Sequence, residues 1–193
     1  MRNEVFMIKN IIMRLKRRRV NRNHQSKIHY LRKQGALIGE RTRLNCNVDS
    51  FGTEPYLISV GEDCLLAYDI HLFTHDGGVK VLSSLNYFDG KRMDIMAPIK
   101  IGNNVYIGSG AYVLPGVTIG NNCVIGAASV VTHDIPDNSV AVGIPARVIK
   151  TIDKYYETVL QKDRLYPTAH MSAEDKRAYF EKLHLLNGSG KES

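Results

Sequence analysis

Two histidines and an aspartate lie close together in a glycine-rich stretch, HLFTHDGGVKVL, at residues 71–82. His75 and Asp76 immediately precede two glycines, and His71 lies four residues earlier. An imidazole titrates near neutral pH and can take a proton from a reacting group. Asp76 could hold the tautomer of that imidazole, but an aspartate ahead of two glycines is at least as well suited to shaping a turn. His75 is therefore a candidate proton acceptor, with Asp76 as a candidate supporting residue.

The residues on either side of this stretch repeat every six positions. From Ile101 the sequence reads IGNNVY, IGSGAY, VLPGVT, IGNNCV, IGAASV and VTHDIP. The period is neither the 3.6 residues of a helix nor a simple alternation, so each unit is interpreted as a short strand followed by a corner. Three units make one triangular coil, and stacked coils give parallel strands. The sequence thus predicts an all-β solenoid, a left-handed parallel β-helix, which is an exception to the usual right-handed crossover.

Two positions in each unit are expected to point inward, namely the first residue and the one four places later. The same spacing continues upstream with gaps. The predicted inward residues are Ile38, Thr42, Leu44, Val48, Val60, Cys64, Leu66, Ile70, Leu72, Ile101, Val105, Ile107, Ala111, Val113, Val117, Ile119, Cys123, Ile125, Ser129, Val131 and Ile135. Cys64 and Cys123 are therefore small core residues, whereas Cys46 falls outside the pattern without any sign of activation.

The register breaks after Leu72. Continuing the repeat would place Asp76 and Gly78 inside, and a buried unpaired carboxylate is costly. We expect the register to return at Ile95, followed by an inward Ile99, so that residues 76–94 form an external loop. A long loop that leaves a regular scaffold is more often functional than accidental.

Together these features resemble the hexapeptide-repeat acyltransferases, and most closely the branch that O-acetylates sugars and polysaccharide precursors. The repeat, the THDGG that opens the loop and the closing GIPARVIK carry the resemblance over about residues 30–152, and YLRKQGALIG resembles capsule and lipopolysaccharide acetyltransferases. The resemblance implies acetyl-CoA as co-substrate, a sugar hydroxyl as acceptor, His75 as general base and no metal. It also implies a homotrimer in which a neighbouring subunit closes each coenzyme groove.

The resemblance also implies which residues contact the coenzyme. Small residues would line the pantetheine arm, and basic residues would lie near the phosphates. These residues are Ser109, Ala127 and Thr132 for the arm and His133, Arg147 and Lys150 for the nucleotide end. Ser109 could also donate to the developing oxyanion. Tyr106 replaces the tryptophan usual in the family and is a candidate supporting residue, and the loop residues Tyr87 and Phe88 could stack on a sugar.

The net charge of +7 is concentrated at the N-terminus, where residues 1–33 hold eleven Lys or Arg and one acid. An apolar stripe at Val5, Ile8, Ile12 and Leu15 fits either docking on the domain or contact with an anionic membrane surface. Charge interrupts and follows the apolar run, which argues against a secretory signal. Three cysteines without a CxxC pair suit a reducing cytoplasm. We therefore predict a cytoplasmic protein, with membrane association at the inner face as an option and no nucleic-acid partner.

The predicted organisation is a basic, partly helical arm at 1–33, a β-helix domain at 34–152, and a helical extension with a mobile tail at 153–193. Helices are expected at 153–163 and 172–186, the second starting at a Ser172 cap.

Other functions remain open at this point. An N-acetyltransferase acting on an amino sugar or an antibiotic would share these motifs. A γ-type carbonic anhydrase would need three histidines around zinc, and the spacing of His71, His75 and His133 matches no ligand pattern that we can defend. A β-helix without enzymatic activity would use the loop only as an interaction surface.

Overall fold

The computed structural model describes residues 19–162 and 164–183. The predicted stripe at residues 5–15 and the GSGKES tail lie outside the described residues. The chain divides into two compact units, Met1–Tyr155 and Tyr156–Ser193.

The strands are β1 Leu37–Ile38, β2 Arg43–Leu44, β3 Ile58–Val60, β4 Leu65–Leu66, β5 His71–Leu72, β6 His75–Asp76, β7 Ile95–Met96, β8 Ile99–Ile101, β9 Tyr106–Ile107, β10 Tyr112–Val113, β11 Thr118–Ile119, β12 Val124–Ile125, β13 Val130–Val131, β14 Ser139–Gly143 and β15 Ala146–Thr151. The helices are α1 His24–Lys33, α2 Val79–Ser84, α3 Ile152–Leu160 and α4 Ala173–Lys182, with short 3₁₀ turns at Val48–Phe51 and Pro55–Leu57.

Three sheets of short strands form the walls of the first unit. Sheet A contains β1, β3, β8 and β11, sheet B contains β2, β4, β9, β12, β14 and β15, and sheet C contains β5, β10 and β13. Neighbouring strands are parallel except in the β14–β15 hairpin. Tyr106 lies beside Val124, 18 residues later, which is one uninterrupted coil. The separation is 22 residues from Arg43 to Leu65 and 41 from Leu65 to Tyr106, so the second and third coils follow insertions.

The core lies inside these walls and follows the six-residue pattern. The inward residues predicted from Ile38 to Leu72 and from Ile101 to Ile135 are all buried, including the two hydroxyl-bearing ones, Thr42 and Ser129. Thr42 satisfies its hydroxyl by donating to the carbonyl of Gly61 at 2.8 Å. The hydroxyl of Ser129 accepts a hydrogen bond from the amide of Gly143 at 3.1 Å. The prediction of the inward positions is confirmed.

The predicted return of the register at Ile95 is wrong. Ile95 is 51% exposed and pairs with Asp76 in an antiparallel two-strand ladder, β6–β7, at the base of the external loop. The outgoing and returning strands therefore leave the coil together, and the first inward residue after the loop is Ile99. Within the loop the chain forms the short helix α2, whose Val79 is buried.

One corner of each coil, between sheets A and B, is turned by a residue with left-handed backbone. The φ angle is 57° at Arg41, 56° at Asp63, 55° at Asn104, 54° at Asn122 and 57° at Asn138. Asparagine and aspartate tolerate this region better than most residues with a Cβ atom. The side-chain amides of Asn104 and Asn122 each donate to the next asparagine along the axis at 2.9 Å. This ladder ties neighbouring coils together where the chain turns.

Helix α1 covers the open end of the first coil. Ile28 and Leu31 join the hydrophobic core. Lys27 is only 6% exposed, and its ammonium donates to the carbonyl oxygens of Leu44 at 3.0 Å and Cys46 at 2.7 Å. The buried ammonium is thus satisfied by backbone acceptors, as a buried charge must be. This end of the predicted arm is therefore a packed cap, and the charge of Lys27 is not on the surface.

The second unit contains α4, which starts where the sequence predicts. The hydroxyl of Ser172 accepts a hydrogen bond from the amide of Asp175 at 3.0 Å, as an N-cap residue should. Tyr166 packs edge-on against Phe180, with ring centroids 5.0 Å apart. Within the described residues, no helix is both long and apolar enough to cross a membrane.

The three cysteines are free and buried. Burial raises the pKa of each thiol, that of Cys46 to about 11. Since the thiolate is the reactive form, we expect the native protein to resist iodoacetamide at mildly alkaline pH and to take up three adducts only after unfolding, as counted by intact mass. Rapid labelling of Cys64 or Cys123 in the folded protein would contradict their placement in the core.

Candidate active site

His75 lies where the chain leaves sheet C for the external loop. Its Nδ1 is 2.9 Å from Oε2 of Glu54, and the hydroxyl of Thr74 donates to the same carboxylate oxygen at 2.8 Å. Thr74 is buried. The side chain of His75 is 46% exposed, whereas that of Glu54 is 16% exposed. The imidazole thus faces solvent with a carboxylate behind it, and its Nε2 has no hydrogen-bond partner among the described residues.

Hydrogen bonds lower the pKa of Glu54 below its usual range. The Thr53 hydroxyl contributes most, and Thr74 and His75 act in the same direction, outweighing the opposite effect of burial. Glu54 is therefore ionised at neutral pH. An ionised acceptor on Nδ1 favours the tautomer with its proton on Nδ1 and stabilises the imidazolium that forms when Nε2 takes up a proton. The pair is suited to general base catalysis.

Of the two roles considered for Asp76, holding the imidazole or shaping a turn, the structure shows the turn. Its carboxylate accepts a hydrogen bond from the amide of Gly78 at 2.7 Å, two residues along the chain. This contact is the local turn that aspartate commonly makes. The carboxylate that contacts His75 is that of Glu54.

Ser109 and Ala127 occupy equivalent places on neighbouring coils, at the corner between sheets B and C. The amide of Ala128 donates to the carbonyl of Ser109 at 2.9 Å, and both Ser109 and Ala127 are exposed. A Cβ atom on Gly108 would lie 2.5 Å from the backbone nitrogen of Ala127, so the coils approach closely there because the residue is glycine. Small side chains lie here over closely spaced backbone, and their contact with the pantetheine arm stays a prediction.

The strands of sheet C begin at the edge where Ser109 and Ala127 lie and end at the opposite edge. Thr132 and His133 follow β13 at this second edge, and His75 lies at the same edge, after β5. The Thr132 hydroxyl and Nδ1 of His133 are 2.8 Å apart. Ala127 and Thr132 are five residues apart, with a turn at residues 127 and 128, so the two positions are separated by at most about 17 Å. In a single chain, Thr132 therefore shares an edge with His75, and Ser109 shares the opposite edge with Ala127.

The two basic residues of the closing motif lie on β15. Arg147 is exposed, and its guanidinium donates to the carbonyl of Ala146 at 2.8 Å. Lys150 is half-buried opposite Val140. Their contact with the coenzyme phosphates stays a prediction.

The three aromatic candidates lie in different places. Tyr106 is on the outer face of sheet B, in register with Leu65 and Val124. Tyr87 is exposed on the external loop, and Phe88 beside it is half-buried. The supporting role of Tyr106 and the stacking roles of Tyr87 and Phe88 stay predictions.

His71 belongs to an aromatic cluster on the outer face of sheet C. Its ring lies 5.0 Å from that of Tyr112 and 6.0 Å from that of Phe73, with nearly parallel planes. Phe73 and Tyr112 are each 39% exposed. Within residues 19–162 and 164–183, no group of three His, Cys, Asp or Glu side chains could hold a metal ion.

Glu54 is not among the residues predicted from the sequence. It lies 21 residues before its partner, in the irregular segment between the two 3₁₀ turns. A signal for it exists in the spacing. Leu44 and Leu66 are paired with an offset of 22 residues where an uninterrupted coil has 18, so residues are inserted between them. A carboxylate in an insertion beside the histidine loop is a candidate partner.

Replacing Glu54 by Gln tests the positioning role. We expect kcat to fall about tenfold to a hundredfold, because the neutral amide no longer stabilises the imidazolium. Other orienting partners of histidine have effects of this size. The KM for acetyl-CoA should change little, and Glu54→Asp should recover part of the rate. A structural role alone would instead lower thermal stability without changing the pH profile of kcat, so both are to be measured.

The chain is similar to known proteins in sequence and in structure. The family described as bacterial transferase hexapeptide (six repeats) matches residues 98–133. Protein CapG of Staphylococcus aureus is 41% identical over 150 residues, covering 77% of this chain and 84% of CapG. The crystal structure of a maltose O-acetyltransferase from Clostridium difficile 630 has a TM-score of 0.52 at 31% identity, covering 74% of this chain and 83% of that one.

A galactoside acetyltransferase solved in complex with coenzyme A has a TM-score of 0.56 at 29% identity, covering 75% of this chain and 80% of that one. The similarity to CapG extends beyond the repeat to most of both chains. The chain therefore belongs to the hexapeptide-repeat sugar O-acetyltransferases, a family of acetyl-CoA-dependent enzymes with the left-handed β-helix fold.

Proposed function

We propose that the protein transfers an acetyl group from acetyl-CoA to a hydroxyl of a sugar, with His75 as the general base. The observation that carries the proposal is the exposed imidazole of His75 held at Nδ1 by the ionised Glu54. Similar proteins named galactoside acetyltransferase and maltose O-acetyltransferase support a sugar as acceptor.

The proton transfers can be assigned to single atoms. When bound, acetyl-CoA supplies an acetyl group that is already activated as a thioester. Nε2 of His75 takes the proton of the acceptor hydroxyl as its oxygen bonds to the acetyl carbon. Glu54 holds the Nδ1 proton in place throughout. As the carbon–sulfur bond breaks, His75 returns the proton to the departing sulfur and regains its neutral form.

We place the coenzyme along the corner that Ser109 and Ala127 form. Both residues are small and exposed, and Gly108 lets the two coils approach closely behind them. The backbone amides and the Ser109 hydroxyl can donate hydrogen bonds to the carbonyl oxygen as negative charge develops on it. His133, Arg147 and Lys150 supply positive charge for the phosphates.

The active site requires two subunits of a threefold-symmetric homotrimer. Within one chain, His75 and the pair Ser109 and Ala127 lie at opposite edges of sheet C. In a cyclic trimer built on this sheet, one edge of each subunit meets the opposite edge of its neighbour. His75 of one subunit then faces the coenzyme surface of the next. The half-exposed cluster of His71, Phe73 and Tyr112 is the apolar surface that such an interface would cover.

We place the reaction in the synthesis of capsule, lipopolysaccharide or exopolysaccharide in the cytoplasm. The acetylated sugar would be a precursor of a surface polymer, as the resemblance of YLRKQGALIG to capsule and lipopolysaccharide acetyltransferases implies. Membrane association at the inner face would bring the basic N-terminal arm against anionic lipid.

The arm gives a testable expectation. Replacing the four consecutive cations at 16–19 by Ser should weaken binding to vesicles containing phosphatidylglycerol by about 10² or more, since each cation near such a surface contributes about 1 kcal/mol. Co-sedimentation measures this, with neutral phosphatidylcholine vesicles as the control. Equal binding of both proteins to anionic vesicles would remove the membrane role from the arm.

A screen of acceptors tests the function itself. Acetyl-CoA is incubated with neutral hexoses, sugar phosphates and amino sugars, and release of the CoA thiol is followed. We expect turnover with acceptors whose only nucleophile is a hydroxyl. Turnover confined to acceptors with an amine would make the protein an N-acetyltransferase, and no release above the rate of hydrolysis with any acceptor would contradict the proposal.

A further inference from the structure

The external loop forms a cavity that the catalytic pair and the coenzyme corner do not use. The cavity lies between α2 and the chain that returns toward β7 and has a volume of about 740 Å³. Its polar lining consists of Lys80, Ser83, Ser84, Lys91, Arg92 and Asp94. Three cations face one carboxylate, so the cavity carries an excess of positive charge.

The three cations are not neutralised within the described part of the chain. The ion pairs formed by residues 19–162 and 164–183 do not involve Lys80, Lys91 or Arg92. All three side chains are exposed. The Ser83 hydroxyl oxygen accepts a hydrogen bond from the amide of Met93 at 3.4 Å, which leaves its own proton to be donated. The cavity therefore presents several donors and a positive field to an incoming anion.

The cavity also lies within reach of the general base. His75 is paired with Met96 across the β6–β7 ladder, and Arg92 lies four residues before Met96. Four residues of extended chain span at most about 14 Å. This bounds the separation of the two backbone positions, and we place one sugar residue with an attached phosphate between the two groups.

We propose that this cavity binds a phosphate carried by the acceptor, so that the substrate class is a phosphorylated sugar and not a neutral one. The inference rests on the proposed acetyl transfer. A phosphate monoester carries a charge of about −1.5 to −2 and three acceptor oxygens. These match the excess of positive charge and the number of donors in the cavity better than the single charge and two oxygens of a carboxylate.

Binding and kinetics test the proposal separately. A hexose 1-phosphate should bind the full-length protein more tightly than the matching methyl hexoside, as measured by calorimetry without turnover. Lys80→Ala and Arg92→Gln should each weaken phosphate-sugar binding roughly tenfold, as expected for the loss of a hydrogen bond between charged groups, and should leave methyl hexoside binding unchanged. Asp94→Asn should strengthen it, because a like charge is removed. Lys33→Ala, at an exposed position on α1, is the matched control and should change nothing.

The phosphate could instead come from the coenzyme, and the KM values separate the two sources. We expect the loop variants to raise the KM for the sugar phosphate and to leave that for acetyl-CoA unchanged. A raised KM for acetyl-CoA alone would overturn the proposal and assign the loop cations to the nucleotide. Equal binding of sugar phosphate and methyl hexoside would also overturn it, whereas acetyl transfer to neutral sugars would still stand. An absence of transfer to every acceptor would be a failure of the proposed function.

Discussion

His75→Ala should lower kcat by about 10² to 10⁴ and leave acetyl-CoA binding nearly unchanged, as expected for loss of a general base. The substitution removes the group that takes the hydroxyl proton, whereas the surface of Ser109 and Ala127 lies at the opposite edge of sheet C. Thiol release with a saturating acceptor gives kcat, and calorimetry with coenzyme A gives the affinity.

His29→Ala is the matched control, because His29 is an exposed histidine on α1, away from the loop. It should retain full activity. If His75→Ala kept the parental kcat with an acceptor that the parent acetylates, another residue would have to be the base. A large fall in coenzyme affinity would show that His75 contributes to binding.

Mixing two inactive variants should restore activity. His75→Ala lacks the base, and Ala127→Trp places a bulky side chain where the coenzyme arm is proposed to lie. When the two are unfolded together, refolded and assembled as mixed trimers, some interfaces combine the intact base of one subunit with the intact corner of the next. Random mixing of equal amounts makes about a quarter of the sites whole, so we expect about a quarter of the parental activity.

Each variant refolded alone is the control and should stay inactive. Sedimentation and native mass spectrometry establish that mixed trimers have formed. If such trimers showed no activity, or if a monomer of the parent were fully active, the base and coenzyme corner would have to act within one chain.

The core was predictable because a single rule governs it. Two residues in every six point inward, and this holds from Ile38 to Ile135 wherever the coil is uninterrupted. The rule failed at Ile95, where the spacing to Ile99 imitates one more unit. A two-strand ladder holds Ile95 outside the coil, and hydrophobic spacing carries no information about such pairing.

The pair of His75 and Glu54 was only half predictable. His75 could be found because it lies at a visible break in the repeat. Glu54 was missed, because the spacing shows that residues are inserted but not that one of them reaches His75 when the first and second coils stack. Asp76, the nearer carboxylate in sequence, is used by its own turn. The position of Lys27 could not be predicted from sequence either. Its charge suggests a surface arm, although its ammonium is buried against backbone carbonyls.

The position of the transferred acetyl group tests the central claim most directly. The protein is incubated with acetyl-CoA labelled in the acetyl group and with an acceptor that supports thiol release, and the product is examined by NMR. We predict a new ester on a sugar oxygen, formed by the parent and nearly absent with His75→Ala. Label found only as free acetate or on an amine, or ester formed equally well without the imidazole, would contradict the account.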